Sequence, residues 1–364
     1  MPTILITGAA GHIGAMLRSR LARPGRELRL LDVKPLAAQP GRAEEAVTAS
    51  VTDMDAMTAA CAGVDAVIHL GGIPSEATWD GILEVNIHGT YTVFEAARRA
   101  GVPRVVFASS NHAVGFYPSS EFPVPDYAFP APDTYYGVSK VAGEALAALY
   151  ARRYGMDAIC VRILSCFEQP RNVRMLSTWL SPDDAGRLFE ACLTAPSPGF
   201  RVIYGVSANT RGGWVSLDEA RALGYEPRDD AEDYAGEVGA DGGEPDLDDP
   251  VFRYLGGEFT FPALDASNLD YSEKPRGQAI LGLIVHGSAS CLSGYVQAPT
   301  TQRACGSTRG SACLAACPWA VLALGGLSVR AVWAGTRDCG SDAGWPRRNG
   351  QNGRAKALAH ISWS

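Results

Sequence analysis

Two side chains four residues apart, Tyr136 and Lys140, carry the most legible chemistry in this chain of 364 residues. In Tyr136-Gly137-Val138-Ser139-Lys140 the spacing sets a phenol and an ammonium on one face of a helix. A free phenol titrates at about 10, too high for a base at neutral pH. A cation held beside it favours the phenolate and moves that value toward the working range. Such pairs arise by chance on many helices, so the pair gains its meaning from a second stretch near the N-terminus, Thr7-Gly8-Ala9-Ala10-Gly11-His12-Ile13-Gly14.

That glycine run falls between an apolar strand-like segment and a helix-like one, the context in which such a turn approaches a pyrophosphate. Glycine lets the backbone come close, and the helix that opens at about Ile13 supplies free N–H groups and the positive end of its dipole. About 20 residues further on, Asp32 ends a second strand, where a carboxylate accepts hydrogen bonds from an adenosine ribose. The same carboxylate repels a 2′-phosphate, so the expected cofactor is NAD. An ordinary tight turn is the competing reading, and Asp32 weighs against it. Lys34 reads as a solvated surface lysine.

The elements that must position these groups alternate. Residues 3–7, Leu28–Asp32, Ala66–Leu70, Arg104–Ala108 and Ala158–Ile163 read as strands; 13–21, 81–100 and Tyr136–Tyr154 read as helices. Alternation of this kind predicts an α/β fold, a Rossmann-like doubly wound parallel sheet that binds ligands at the C-terminal ends of its strands. From Leu176 to Arg228 the pattern weakens into helices and short strands. A small C-terminal substrate-side subdomain is expected from about 165 to 264, and residues 229–250, rich in Gly, Asp and Pro, read as an exposed loop.

Composition bounds the function. The net charge of −7 argues against a nucleic-acid surface, and no segment before residue 270 reads as a membrane span. The apolar N-terminus runs straight into the glycine turn and reads as a buried strand, with a cytoplasmic setting expected. Cys61, Cys160, Cys166 and Cys192 lack metal-type spacing and read as buried thiols. Residues 265–364 differ in kind: the net charge is −12 through residue 264 and +5 from 265 onward. This tail, rich in Gly, Ser, Cys, Arg and Trp, has the composition of a shifted reading frame or a fused extension. It is expected to be poorly ordered and to lie outside a catalytic fold comprising residues 1–264. Cys305, Cys313 and Cys317 within it lack paired C-x-x-C spacing, so no metal site is expected.

Two further stretches bear polar groups at strand ends. Ser109-Ser110-Asn111-His112 follows the fourth strand, about 25 residues before Tyr136. The segment Ser165–Trp179, with Arg174 in it, follows the strand after the Tyr–Lys helix and should cross the open end of the site. Arg174 has the geometry for a bidentate pair with a carboxylate, although on spacing alone a surface arginine is the default. His112 alone would be a loop residue, and its place at the end of a central strand raises its functional weight.

The glycine turn and the Tyr–Lys pair, in this order, resemble the short-chain dehydrogenase/reductase superfamily in its extended, sugar-modifying branch. Within it, Phe107–His112, Tyr136–Lys140, Ser165-Cys166, Arg174-Met-Leu-Ser-Thr-Trp179, Val206–Asn209 and Leu223–Pro227 together resemble the uronate dehydrogenase family. The resemblance runs from about residue 3 to 260. It implies oxidation of the anomeric carbon of a hexuronate, D-glucuronate or D-galacturonate, to the aldarolactone with NAD. It assigns Tyr136 as base, Lys140 as its support, and Ser110 and Asn111 to the reacting oxygen. It carries substrate contacts to Ser75, Ser110, Asn111, His112, Ser165 and Arg174. Cofactor contacts fall on Gly8, Gly11, His12, Ile13, Gly14, Asp32, Ser50, Val51, Gly71, Gly72, Ile73, Asn86, Tyr136, Lys140 and Cys166. Ser50 stands where relatives often carry an acid toward the adenine, with Asp53 just beyond. For Asn86 a structural role weighs equally. A homo-oligomer is implied by analogy. A nucleotide-sugar epimerase or dehydratase and a non-catalytic NAD-binding sensor are the alternatives. The first is disfavoured by the short C-terminal part, the second by retention of Tyr136, Lys140 and Ser110-Asn111-His112.

Overall fold

The structure is a computed structural model that describes residues 1–239, 249–261 and 264. The tail from 265, residues 262–263 and the span 240–248 lie outside the described residues, and with them the expectations placed on the tail. Strand β1 (Thr3–Thr7) leads into α1 (His12–Leu21), then β2 (Glu27–Asp32), β3 (Glu44–Thr48), α2 (Met54–Ala60) and β4 (Ala66–His69). A short α3 (Trp79–Gly81) passes through a π-helical segment, Ile82–His88, into α4 (Gly89–Arg99). The chain continues through β5 (Arg104–Ser110), α5 (Tyr135–Tyr154), β6 (Asp157–Ile163), β7 (Ser165–Cys166), α6 (Met175–Thr178) and β8 (Trp179–Leu180). It ends, within the described part, with α7 (Pro182–Thr194), β9 (Phe200–Gly205), α8 (Asp218–Ala222) and α9 (Pro250–Arg253).

Seven strands form one parallel sheet in the order β3-β2-β1-β4-β5-β6-β9. The order of strand succession reverses between β1 and β4, which opens the crevice where such sheets take ligands. Central strands are apolar on both faces because helices cover both. Ile4, Ile6, Leu28, Leu30, Val161 and Ile203 point to the face carrying α1 and α7. Leu5, Leu31, Val67, Val105 and Phe107 point to the opposite face, under α2, α4 and α5. The period of two along each strand thus feeds both cores.

Three features go beyond the sequence reading. The expected helix 81–100 is split, its first half π-helical, and π segments of this kind concentrate at functional sites. β9, one of the short strands foreseen between 176 and 228, joins the main sheet beside β6. The foreseen loop after residue 229 is in part packed structure: Ala231 is fully buried and Tyr234 meets Trp179 edge-on at 5.5 Å. A smaller apolar cluster, Val114, Val124, Tyr204, Val206, Trp214, Phe252 and Leu255, gathers the residues flanking the site.

Candidate active site

The cofactor half forms where β1 meets α1. Gly8 takes φ +69°, open to glycine, and a side-chain carbon at Gly14 would lie 2.4 Å from the Gly8 carbonyl oxygen. The helix start is thereby pressed onto the turn, while Gly11 and His12 face outward. His12 lies beside the Phe167 ring, centroids 5.6 Å apart, and Ile13 packs against the core. Asp32 accepts hydrogen bonds from Ala10 N and Lys34 N, both at 2.9 Å. Its carboxylate is thus locked to the glycine turn, and the Lys34 residue is exposed. A tight turn, a helix N-terminus and a fixed acid fit a dinucleotide with a free ribose 2′-hydroxyl.

On the far side of the crevice, Gly71 closes on Val51. A carbon added at Gly71 would meet Val51 Cγ1 at 2.7 Å. Ser50 shares a 2.8 Å hydrogen bond with Thr52. Asp53 caps α2, its Oδ1 accepting from Asp55 N and Ala56 N at 3.0 Å. That cap commits one oxygen of Asp53 to the start of α2. Asn86 is spent on structure: its Oδ1 accepts from Ile73 N at 2.7 Å, and its Nδ2 donates to Ile73 O and Ser139 Oγ. It clamps the turn Gly71-Gly72-Ile73 to α5, so the structural reading of this residue is the one its geometry supports.

The chemical half stands on α5. Thr134 caps this helix by accepting from Gly137 N at 2.9 Å, and buried Glu76 accepts from Tyr136 N at 3.0 Å. Lys140 Nζ donates to Ala108 O at 2.9 Å and lies 5.1 Å from the Tyr136 ring centroid. Burial pushes the Tyr136 phenol up to about 12, with a hydrogen bond involving Ser110 pulling the other way. Burial pushes the Lys140 ammonium down to about 8. In the unliganded protein burial is the largest influence on both groups, raising the phenol and lowering the ammonium.

The substrate half gathers residues from distant parts of the chain. Ser110 Oγ accepts from His112 N and donates to Asn111 Oδ1. Asn111 Nδ2 donates to Leu255 O at 3.0 Å, and Arg174 Nη2 donates to the same carbonyl. Asn111 and Arg174 are thereby neighbours although 63 positions apart in number. Arg174 makes no ion pair among the described residues; its Nε is buried without a hydrogen-bond partner, and its guanidinium lies 5.4 Å from the Trp214 ring. Burial pushes it down to about 10, opposed by the more distant charges of Glu258 and Asp133. Ser165 Oγ shares a 3.0 Å bond with Thr178 Oγ1. Cys166 is buried against Met16, its thiol pushed up to about 12 by that burial, so it offers no thiolate. Ser75 is half-buried, one residue from Glu76.

Residues 4–177 match the NAD dependent epimerase/dehydratase family. Uronate dehydrogenase of Pseudomonas putida is 44% identical over 256 residues, 70% of this chain and 94% of that protein. The chain belongs to the uronate dehydrogenase family. Among solved structures, glucuronic acid dehydrogenase from Chromohalobacter salexigens has a TM-score of 0.68 at 40% identity, over 72% of this chain and 98% of that one. An Agrobacterium tumefaciens uronate dehydrogenase mutant complexed with NAD has a TM-score of 0.67 at 42% identity, over 72% and 98%.

Sequence reasoning missed Asp133, Leu255 and Phe259, which the fold brings to His112, Asn111 and Arg174. Asp133 Oδ2 lies 2.7 Å from His112 Nδ1, and the Phe259 ring lies 4.0 Å from the His112 ring by centroids. Asp133-Thr134 at a helix start reads only as a cap, and a backbone carbonyl leaves no mark on side-chain chemistry. Among the described residues no cluster of His, Cys, Asp or Glu could hold a metal, and no helix is long and apolar enough to cross a membrane.

Proposed function

We propose that this chain oxidises the anomeric carbon of hexuronic acids, D-glucuronate or D-galacturonate, with NAD and releases the aldarolactone. The observation that carries the substrate class is Arg174. Its Nε is buried and orphaned, it makes no ion pair among the described residues, and it is joined to Asn111 through the Leu255 carbonyl. A buried, unpaired cation beside a Tyr–Lys site is costly until an anion arrives, and a C6 carboxylate is such an anion.

NAD, when bound, supplies the hydride acceptor. Gly8, Gly11, His12, Ile13 and Gly14 hold its pyrophosphate, and Asp32 its adenosine ribose. Val51, Gly71, Gly72 and Ile73 line the adjoining wall. Tyr136 as phenolate takes the proton from the C1 hydroxyl, and Ser110 orients that oxygen. Asn111, His112, Ser75 and Ser165 bind the remaining hydroxyls. Arg174 anchors the carboxylate and so fixes which carbon faces Tyr136. Lys140, buried beside the phenol, favours its ionised form. The catalytic fold ends near residue 264. A cytoplasmic homo-oligomer completes the reading, supported by four free thiols among the described cysteines and by exposed Leu149 and Tyr154 on α5.

The test is NADH absorbance with purified protein, NAD and each uronate. Prompt NADH with uronates and none with glucose or UDP-glucose supports the reading; folded, NAD-binding protein that makes none overturns it. Arg174→Ala is expected to lose about 2 kcal/mol of uronate binding, roughly a 30-fold rise in KM, with the Kd for NAD unchanged. An equal loss of NAD affinity would remove Arg174 from the substrate side.

A further inference from the structure

His112 has one nitrogen committed and one uncommitted. Its Nδ1 lies 2.7 Å from Asp133 Oδ2, and Nε2 makes no hydrogen bond among the described residues. The ring lies tilted against Phe259, centroids 4.0 Å apart, and meets the Tyr136 ring edge-on at 5.8 Å. The Asp133 side chain is fully buried. Its other oxygen is fixed by a directional chain: Gly137 N–H donates to Thr134 Oγ1, so the Thr134 hydroxyl donates to Asp133 Oδ1 at 2.9 Å.

The backbone around Asp133 is shaped to its carboxylate. A side-chain carbon at Gly115 would lie 2.0 Å from Asp133 Oδ2, and one at Gly256 would lie 1.9 Å from it. These two glycines are joined by a hydrogen bond from Gly256 N to Gly115 O at 2.8 Å. Oδ2 thus occupies a crossing of two chain segments where only glycine leaves room. It cannot swing away without displacing one of them. The carboxylate accepts only, so Nδ1 carries the proton when the imidazole is neutral. Nε2 is then a lone pair on the ring edge not turned to Asp133.

We propose that Asp133 is a positioning residue: it holds His112 as the Nδ1–H tautomer and thereby presents Nε2 as a hydrogen-bond acceptor for a sugar hydroxyl. The role resembles that of carboxylates which orient histidines elsewhere by gripping the nitrogen that does not touch the ligand. It gives the site selectivity for a hydroxyl donor where His112 lies and deepens the uronate reading, on which its substrate part rests.

The experiment pairs Asp133→Asn with His112→Ala in a double-mutant cycle, read as kcat/KM for glucuronate and as Kd for NAD. In the parent protein Asp133→Asn is expected to cost about 10- to 100-fold in kcat/KM, mostly through KM, with NAD affinity kept. In the His112→Ala background it is expected to cost almost nothing further. Equal losses in both backgrounds would overturn the proposal, because a carboxylate needed only for folding acts without His112. Independently, 15N-histidine NMR of the unmodified protein near pH 8, assigned with His112→Gln, should place the bare nitrogen at Nε2. A proton at Nε2 would overturn the proposal even if Asp133→Asn fails to fold. If the parent protein makes no NADH from uronates, the function is refuted, and the tautomer measurement still decides the clamp.

Discussion

At the scale of single residues, Tyr136 and Lys140 share one buried space and disturb each other less than burial disturbs both. A base acts only when deprotonated, so a phenol pushed up to about 12 should make kcat/KM for uronates rise with pH above neutrality. Tyr136→Phe should abolish that limb and lower kcat by about 100- to 10,000-fold; turnover near that of the parent would remove it as base. Lys140 supplies a stability test. Its ammonium is pushed from the usual 10.5 down to about 8, so the unfolded chain holds its proton more tightly. Keeping that charge buried below pH 8 costs about 3 kcal/mol. The cost fades as pH rises from 8 through 10.5 and vanishes above it. Lys140→Met should therefore melt higher than the parent at pH 7, and the two should converge above pH 10.5. A lower melting temperature at pH 7 would mean that the Ala108 hydrogen bond outweighs desolvation.

At the scale of elements, the ends of helices decide which polar residues remain for a ligand. Asp53 and Asn86 look alike in sequence as candidate contacts, yet one caps α2 and the other clamps Gly71-Gly72-Ile73 to α5. Asp53→Ala should cost about 1 kcal/mol in chemical denaturation and leave the Kd for NAD where it was. A weaker NAD affinity at unchanged stability would make Asp53 a cofactor contact after all. Beneath the same turn, Thr7, His69 and Thr90 form a buried relay ending at Asn86 O. Burial pushes His69 down to about 3, so it stays neutral and serves as a spacer. The polar groups under the crevice thus hold its walls.

At the scale of the whole molecule, a seven-stranded sheet puts every candidate group at the same end. Gly8 follows β1, Gly71 follows β4, Asn111 follows β5 and Ser165 follows β6. The segment from Asp249 to Phe261 then returns to this end, its Leu255 carbonyl joining Asn111 and Arg174. About 260 residues of this chain nearly exhaust the length of the relatives it matches, as with 97% of the uronate dehydrogenase of Agrobacterium fabrum. A chain ending after residue 264 should therefore keep the NADH formation rate and melting temperature of the full one. A shorter chain that is inactive or insoluble would show that the remaining hundred residues serve the enzyme.

What the sequence determined by itself is what short-range spacing encodes. The Tyr–Lys pair needs only the helical repeat, the glycine turn only its strand and helix neighbours, and Asp32 only the end of the next strand. These survive reading because each depends on residues near in number. The tertiary structure alone decided the rest. Leu255 lies 144 positions from Asn111 and 81 from Arg174, and Asp133 lies 21 from His112. No local period signals those meetings. The same holds for the Tyr136 phenol: its neighbours in sequence predict a lowered value, and the packing around it raises it. Desolvation depends on everything that surrounds a group, and that is assembled only when the chain has folded.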